Sequence, residues 1–399
     1  MARVLLGGLL TLVIAMGIGR FAYAPILPAM QSATGLGGDG AGLLASLNYL
    51  GYFLGAAAAG WVPHGAVRTW TFRAALVASV ATTAGMGLTD DFLTWSVLRF
   101  LSGLASAGMF ILGIAMVLDA LVRMGAESRA GWMYMGVGAG IAGSGLFVAL
   151  FGGRLGWDGD WLALGAVCVP MAVPVWLWVQ DHAPKHAAIA AAAAGGLSAP
   201  LLLLTAAYFL EGAGYIVTGT FLVALLKRMP DTAAIGEAAW TVAGLAAVPS
   251  GLFWAAMSRK LGGWRALIAA HLAQAVGIVL PLAGLGAVGG FASAALFGGT
   301  FVGIVSMAFM LGRQLSGGAS AKVVGALTAA YGLGQILGPL PAGIAVERTG
   351  SFATALIGAS GVVALGAACL LAGMLLNRPA PSPGASPAPS GRASAEKAG

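Results

Sequence analysis

Apolar residues run along the chain in long blocks, and most of the charge falls in the short connections between them. A bilayer-spanning helix needs about 20 predominantly apolar residues. Twelve blocks meet that length, over roughly 4–29, 41–62, 71–88, 92–118, 130–151, 161–180, 200–226, 236–257, 264–286, 290–312, 322–346 and 352–376. The first is too long for a secretory signal peptide, and no small-residue cleavage pattern follows it. Two longer polar segments remain. Residues 181–199 divide the blocks six and six and are expected to form a cytoplasmic linker. Residues 377–399 are rich in Pro, Ser and Ala and read as a disordered cytoplasmic tail. The predicted fold class is an all-α membrane protein of twelve transmembrane helices, packed as two six-helix bundles over 1–180 and 200–376.

Composition agrees. Of 399 residues, 59% are hydrophobic and 8% charged, against about 25% charged in soluble domains. This excludes a soluble enzyme, a disulfide scaffold and a disordered chain. Cys168 and Cys369 each sit inside an apolar block, so neither a disulfide framework nor a zinc site is expected. The net charge of +7 does not point to nucleic acid, because the basic residues sort by connection. Arg3, Arg68, Arg73, Arg123, Arg129, Lys185, Arg259, Lys260, Arg265, Arg313, Lys322, Arg378, Arg392 and Lys397 share one side. The other side has only Arg154, Lys227, Arg228 and Arg348, with most of the acids. The positive-inside rule then places both termini in the cytoplasm.

Shifting the chain by 195 residues superposes Gly17-Ile18-Gly19 on Gly212-Ala213-Gly214, Gly103 and Gly108 on Gly298 and Gly303, and Gly143 on Gly338. Each match sets span n on span n+6. A parallel six-plus-six repeat is the architecture of the major facilitator superfamily, whose substrate site lies between the halves near the bilayer midplane.

Three charges fall deep inside spans: Arg20, Arg99 and Glu211. A charge at the bilayer centre costs at least ~2.5–3.5 kcal/mol on insertion scales, so such residues face a cavity or a partner. Each belongs to a polar stripe at helical spacing. Tyr23 follows Arg20; Tyr208, Tyr215 and Thr218 flank Glu211; Ser102 and Ser106 follow Arg99; Thr328, Tyr331 and Gln335 line span 11; Asn48 and Tyr52 lie on span 2. In the repeat Glu211 falls opposite Met16, one turn from Arg20, so the two charges are placed to face each other. Two readings stay open: a salt bridge that only joins the halves, or a glutamate that gains and loses a proton while Arg20 attracts an anionic group. His271 reads as a helix–helix contact rather than a proton relay. The Gly-x-x-x-Gly pairs read as packing, and Pro25, Pro28, Pro339 and Pro341 as kink candidates.

The run Gly17-Ile18-Gly19-Arg20-Phe21-Ala22-Tyr23-Ala24-Pro25-Ile26-Leu27-Pro28 resembles the opening signature of the YbfB/YjiJ-type branch of the major facilitator superfamily. Span 7 (Tyr208 to Leu222) and span 11 (Tyr331 to Pro339) are similar to the same branch, and Arg99-Phe100-Leu101-Ser102-Gly103 to the arginine motif of span 4. The resemblance implies a bacterial inner-membrane secondary transporter working by alternating access. The sequence departs from the superfamily pattern between spans 2 and 3, where Gly60 to Arg68 lacks the usual aspartate. Asp119, at the end of span 4, is then available to pair with a loop arginine.

The expected function is proton-coupled movement of a small organic solute, an anionic one among the options. The alternatives are efflux of lipophilic drugs and a transporter-like sensor without net flux. The candidate substrate and coupling residues are Arg20, Tyr23, Asn48, Tyr52, Arg99, Ser102, Tyr208, Glu211, Tyr215, Thr218, Tyr331 and Gln335. The expected partners are a small-molecule substrate, a proton and the lipid bilayer, with no nucleic acid, and the expected state is a monomer. No cofactor, metal or enzymatic activity is expected, since no Gly-x-Ser-x-Gly, His-Glu-x-x-His or paired-aspartate pattern occurs in the spans.

Overall fold

A computed structural model describes residues 1–126, 129–181, 198–316 and 320–377. Most of the predicted linker and all of the tail beyond Asn377 lie outside the described residues. Among the described residues there is no strand. The helices are α1 (Ala2–Leu12), α2 (Tyr23–Thr34), α3 (Gly38–Ala59), α4 (Ala66–Gly85), α5 (Phe92–Arg123), α6 (Gly131–Trp178), α7 (Ala199–Arg228), α8 (Gly236–Leu261), α9 (Gly263–Val279), α10 (Gly286–Leu315), α11 (Ser320–Leu337), α12 (Pro339–Thr349) and α13 (Ala353–Leu376). Among the described residues, ten helical segments are long and apolar enough to cross a membrane.

Connections are short and locally capped. The Asp91 carboxylate accepts from the Thr94 amide and hydroxyl at the start of α5. The Thr94 bonds hold its carboxyl below the usual carboxylate range. Ser198 caps α7, and Gly35 and Gly350 end helices in the left-handed region that favours glycine.

Three predicted boundaries are corrected. The first block is not one continuous helix: a π-helical turn, Val13–Ile18, joins α1 to an irregular stretch before α2. Pro25 lacks the N–H that would continue the ladder. The predicted connection between the fifth and sixth blocks is instead helical, bent at Gly156 (φ 73°, ψ 171°), where glycine alone is comfortable. The eleventh block splits at Gly338 into α11 and α12, beside Pro339 and Pro341.

The 195-residue shift recurs in the packing. A Cβ on Gly103 of α5 would sit 1.9 Å from the Asn48 carbonyl oxygen of α3. A Cβ on Gly298 of α10 would sit 1.8 Å from the Ala243 carbonyl oxygen of α8. Both members of the second contact are displaced by 195 from the first, so the same helix-on-helix approach is built twice.

Contacts between the first and second halves concentrate at one end. There α2 packs on α7 and α12 on α3, while α6 meets α8 nearer mid-depth and α11 also touches α3. At that end the backbones touch through small residues: Gly42 meets the Pro339 carbonyl, and Gly343 meets Gly38. The Glu347 carboxylate accepts the Gly38 amide at 2.7 Å, joining α12 to the N-terminus of α3, where an anion is favoured. We call this the far end; Ala2 and Leu376 lie at the near end. Toward the near end, the aromatic residues Tyr52, Phe53, Phe110, Tyr134 and Tyr331 are at least partly exposed.

Candidate functional site

The break in the first span creates the site's framework. Within the π-helical turn the Gly19 amide bonds to Ile14 rather than Ala15, which leaves the Ala15 carbonyl without it. The Ser106 hydroxyl donates to that carbonyl. The Gly19 carbonyl accepts from the Ser102 hydroxyl at 2.9 Å and from Arg99 Nη1 at 3.4 Å. The stripe of α5 therefore holds the broken backbone open, since a buried carbonyl left unpaired costs about 1–3 kcal/mol. Asn48 Nδ2 donates to the Arg99 carbonyl at 2.9 Å. The Tyr23 hydroxyl donates to the Ala41 carbonyl at 3.0 Å, and its ring lies 4.6 Å from the Arg99 guanidinium. Tyr23, Asn48, Arg99, Ser102 and Ser106 thus form one cluster that ties α3 and α5 to the break.

Arg20 projects from the break toward the second half. Its guanidinium lies 4.0 Å from the Tyr52 ring centre and 4.7 Å from that of Tyr49. Nη2 donates to Gln335 Oε1 at 3.5 Å, and Gln335 Nε2 donates to the Tyr215 hydroxyl. The Tyr215 ring stacks on Tyr331 at 5.5 Å, and Tyr331 stacks on Tyr208 at 4.5 Å. Phe297 and Phe301 cover the other side of Tyr215. Arg20, Tyr52, Gln335, Tyr215, Tyr331 and Tyr208 therefore form a second cluster, drawn from both halves.

Glu211 closes this cluster but does not pair with Arg20. It is fully buried, and neither carboxyl oxygen makes a hydrogen bond of normal geometry. Its polar neighbours are Gln274 of α9 and Tyr331 of α11. The expected face-to-face ion pair is absent: among the described residues no carboxylate lies within 4 Å of Arg20 or Arg99. The offset of one helical turn puts Tyr215, not Glu211, at the level of Arg20. Thr218 is buried with its hydroxyl unpartnered. His271 Nδ1 donates to the Leu267 carbonyl at 2.9 Å, and Nε2 has no partner.

Several relevant residues lack a sequence signal. Phe110 stands edge-on to Tyr52 at 6.3 Å, and Tyr134 lies on the near-end side. Gln274 sits on α9 one turn after His271, which the sequence marks only as a helix–helix contact. Asp119 pairs with Arg68 at 3.1 Å, in line with the expectation for that acid, but Arg68 also holds Asp181 at 3.5 Å. Two apolar surface grooves, one between α4 and the end of α6 and one against α3, α4 and α5, lie away from these clusters.

An all-helical chain with many apolar crossings, carrying buried charges between two similarly packed halves, defines a multi-pass membrane transporter of the major facilitator type. The sequence model of the family described as "Uncharacterised MFS-type transporter YbfB" matches residues 12–371, and the chain belongs to that family. Among curated proteins none matches it significantly by sequence. Solved structures show the same fold. A point mutant of the nucleoside transporter NupG aligns with TM-score 0.77 and 14% identity, covering 92% of this chain and 99% of its own. A bacterial homologue of the human lysosomal transporter Spinster, in an inward-facing and occupied conformation, aligns with TM-score 0.72 and 16% identity, covering 96% and 99%.

Proposed function

We propose that the protein is a proton-coupled carrier of a small organic anion, working by alternating access across a bacterial inner membrane. Counting α6 as two crossings and adding α4 to the other apolar helices gives twelve spans. They divide into six-helix bundles over 1–180 and 200–376, with both termini cytoplasmic. The recurrence of the Gly103–Asn48 contact as Gly298–Ala243 supports that division. The far end is then the periplasmic end, closed here by Gly42, Gly343 and Glu347.

One observation carries the substrate reading. Arg20 and Arg99 are buried to 3% and 1% exposure, with no carboxylate within 4 Å of either among the described residues. An isolated buried charge is costly, and cation–π contacts are each worth only about 0.5–2 kcal/mol. An anionic solute entering past the partly exposed near-end aromatic residues supplies the missing charge at Arg20. The Gln335 amide and the tyrosine hydroxyls orient it. Glu211 carries the proton, one turn nearer the cytoplasm. The route from Arg20 to Glu211 runs through Gln335, Tyr215 and Tyr331, so solute and proton occupy separate but linked positions.

The test is a thermal-shift screen of small organic anions and neutral analogues, since a ligand of the folded state raises its apparent melting point. Anions are expected to stabilise wild type and to lose that effect in Arg20→Gln. Stabilisation confined to lipophilic cations, and unchanged in Arg20→Gln, sinks the reading and favours drug efflux.

A further inference from the structure

The second half contains a concentration of buried polar atoms that no hydrogen bond satisfies. Both Glu211 oxygens, Gln274 Oε1 and Nε2, and the Tyr331 hydroxyl are all enclosed and all unpartnered. Glu211 and Gln274 are 0% and 1% exposed. Buried polar groups are nearly always hydrogen-bonded, and a set of orphans in contact calls for an explanation. Gln274 and Tyr331 are also the two side chains that act on Glu211. They come from different helices, α9 and α11, so the three groups meet only in the folded second half.

We propose that Glu211, Gln274 and Tyr331 form a proton-binding pocket in which Gln274 is the positioning residue. The proposal rests on the reading of Glu211 as the proton carrier and adds the groups that let it release the proton. A protonated carboxyl has one O–H donor and a free carbonyl oxygen; a primary amide has one carbonyl and an N–H₂ group. The neutral acid donates to Gln274 Oε1 and accepts from Gln274 Nε2, so each completes the other. Loss of the proton removes the donor and leaves Gln274 Oε1 facing a carboxylate. The ionised form then depends on the Gln274 N–H₂ and the Tyr331 hydroxyl, whose bonds to a charged acceptor are about twice as strong as neutral ones.

Among the described residues no basic side chain forms an ion pair with Glu211. On its own helix Glu211 faces Tyr208 and Tyr215. On α11 it faces Tyr331. His271 lies one turn from Gln274 on α9. The only titratable groups of α10 and α13 are Arg313, at the near end, and Cys369; those of α8 and α12 sit at the helix ends. Gln274 and Tyr331 are therefore the groups that set the balance between the two forms.

The experiment is infrared difference spectroscopy of the full-length protein in lipid during a pH titration, following the carboxylic-acid C=O band. Glu211→Gln must abolish the band, which assigns it. Gln274→Met keeps the side-chain length, and Tyr331→Phe removes one oxygen; both are checked for folding by melting point. Each is expected to let the acid band persist to higher pH by ~1 unit or more, a tenfold change in proton affinity. Wild-type titration in either variant overturns the pocket but leaves Glu211 as carrier. Absence of any Glu211 band overturns the carrier reading itself. A band that sodium chloride displaces, and choline chloride at equal concentration does not, shows a metal-cation site and overturns the proton pocket.

Discussion

Replacing Gly42 by valine separates closure of the far end from folding of the halves. A Cβ at Gly42 would stand 2.4 Å from the Pro339 carbonyl oxygen and 3.0 Å from its carbon. Ordinary contact begins near 3.4 Å, so α3 and α12 must part by about 1 Å at that point, and further for the γ-methyls. Overpacking of this kind costs about 1–3 kcal/mol. Since the clash lies between the two halves and exists only when the far end is shut, that cost falls on one conformation. A difference of 1–3 kcal/mol shifts a two-state equilibrium roughly 5–150-fold. Spin labels at Asp90 and Leu285, both exposed, report the far-end distance by pulsed electron resonance. Gly42→Val is expected to fold and to enrich a longer distance. Gly103→Val is the control: its Cβ clash with Asn48 at 1.9 Å lies within one half, so that variant is expected to lose folded protein. A Gly42→Val distance distribution identical to wild type refutes the assignment of this contact as a closure.

Other consequences follow from the same geometry. Ser102→Ala with Ser106→Ala removes two hydroxyl donors, leaving the Gly19 carbonyl with Arg99 alone and the Ala15 carbonyl without a side-chain donor; a loss of about 1–3 kcal/mol for the orphaned Ala15 carbonyl is expected as a lower melting point, and an unchanged melting point contradicts the capping role. Asp119 is 42% exposed at its side chain whereas Asp181 is fully enclosed. Asp181→Asn is therefore expected to lower the melting point clearly more than Asp119→Asn, and equal effects argue against Arg68 as the shared anchor. Asp160 is fully buried with both oxygens unpartnered. Asp160→Asn is expected to raise the melting point at alkaline pH, where an acid must ionise, and to gain little in acid; a gain independent of pH contradicts this.

The helical spans and the three buried charges were legible because the bilayer imposes them: a long apolar block has few other fates, and a charge within it stands out. The stripes were legible as helical faces, but their partners were not. Ser102 and Ser106 follow Arg99 at the spacing of a lumen face, yet they serve the backbone of another helix. That purpose depends on the break after Ile18, and the run Gly17 to Pro28 hints at it only through Pro25 and Pro28. The 195-residue shift located the repeat, but one turn of offset moved Glu211 away from Arg20. Gln274 is not singled out because His271, one turn before it, reads as a helix–helix contact; only the fold brings Gln274 to Glu211. Asp181 reads as part of a linker because charge marks the ends of apolar blocks, whereas its partner Arg68 lies 113 positions earlier.

The central claim is that a proton on Glu211 drives movement of an anion held at Arg20. It is tested most directly in vesicles containing only this protein, with uptake of an anion found by thermal shift measured against an imposed pH gradient. Wild-type uptake is predicted to rise with the gradient, for which each pH unit supplies up to about 1.4 kcal/mol per proton. Glu211→Gln is predicted to bind the anion and exchange it across the membrane without responding to the gradient. A Glu211→Gln carrier whose uptake rises as steeply as wild type contradicts the account.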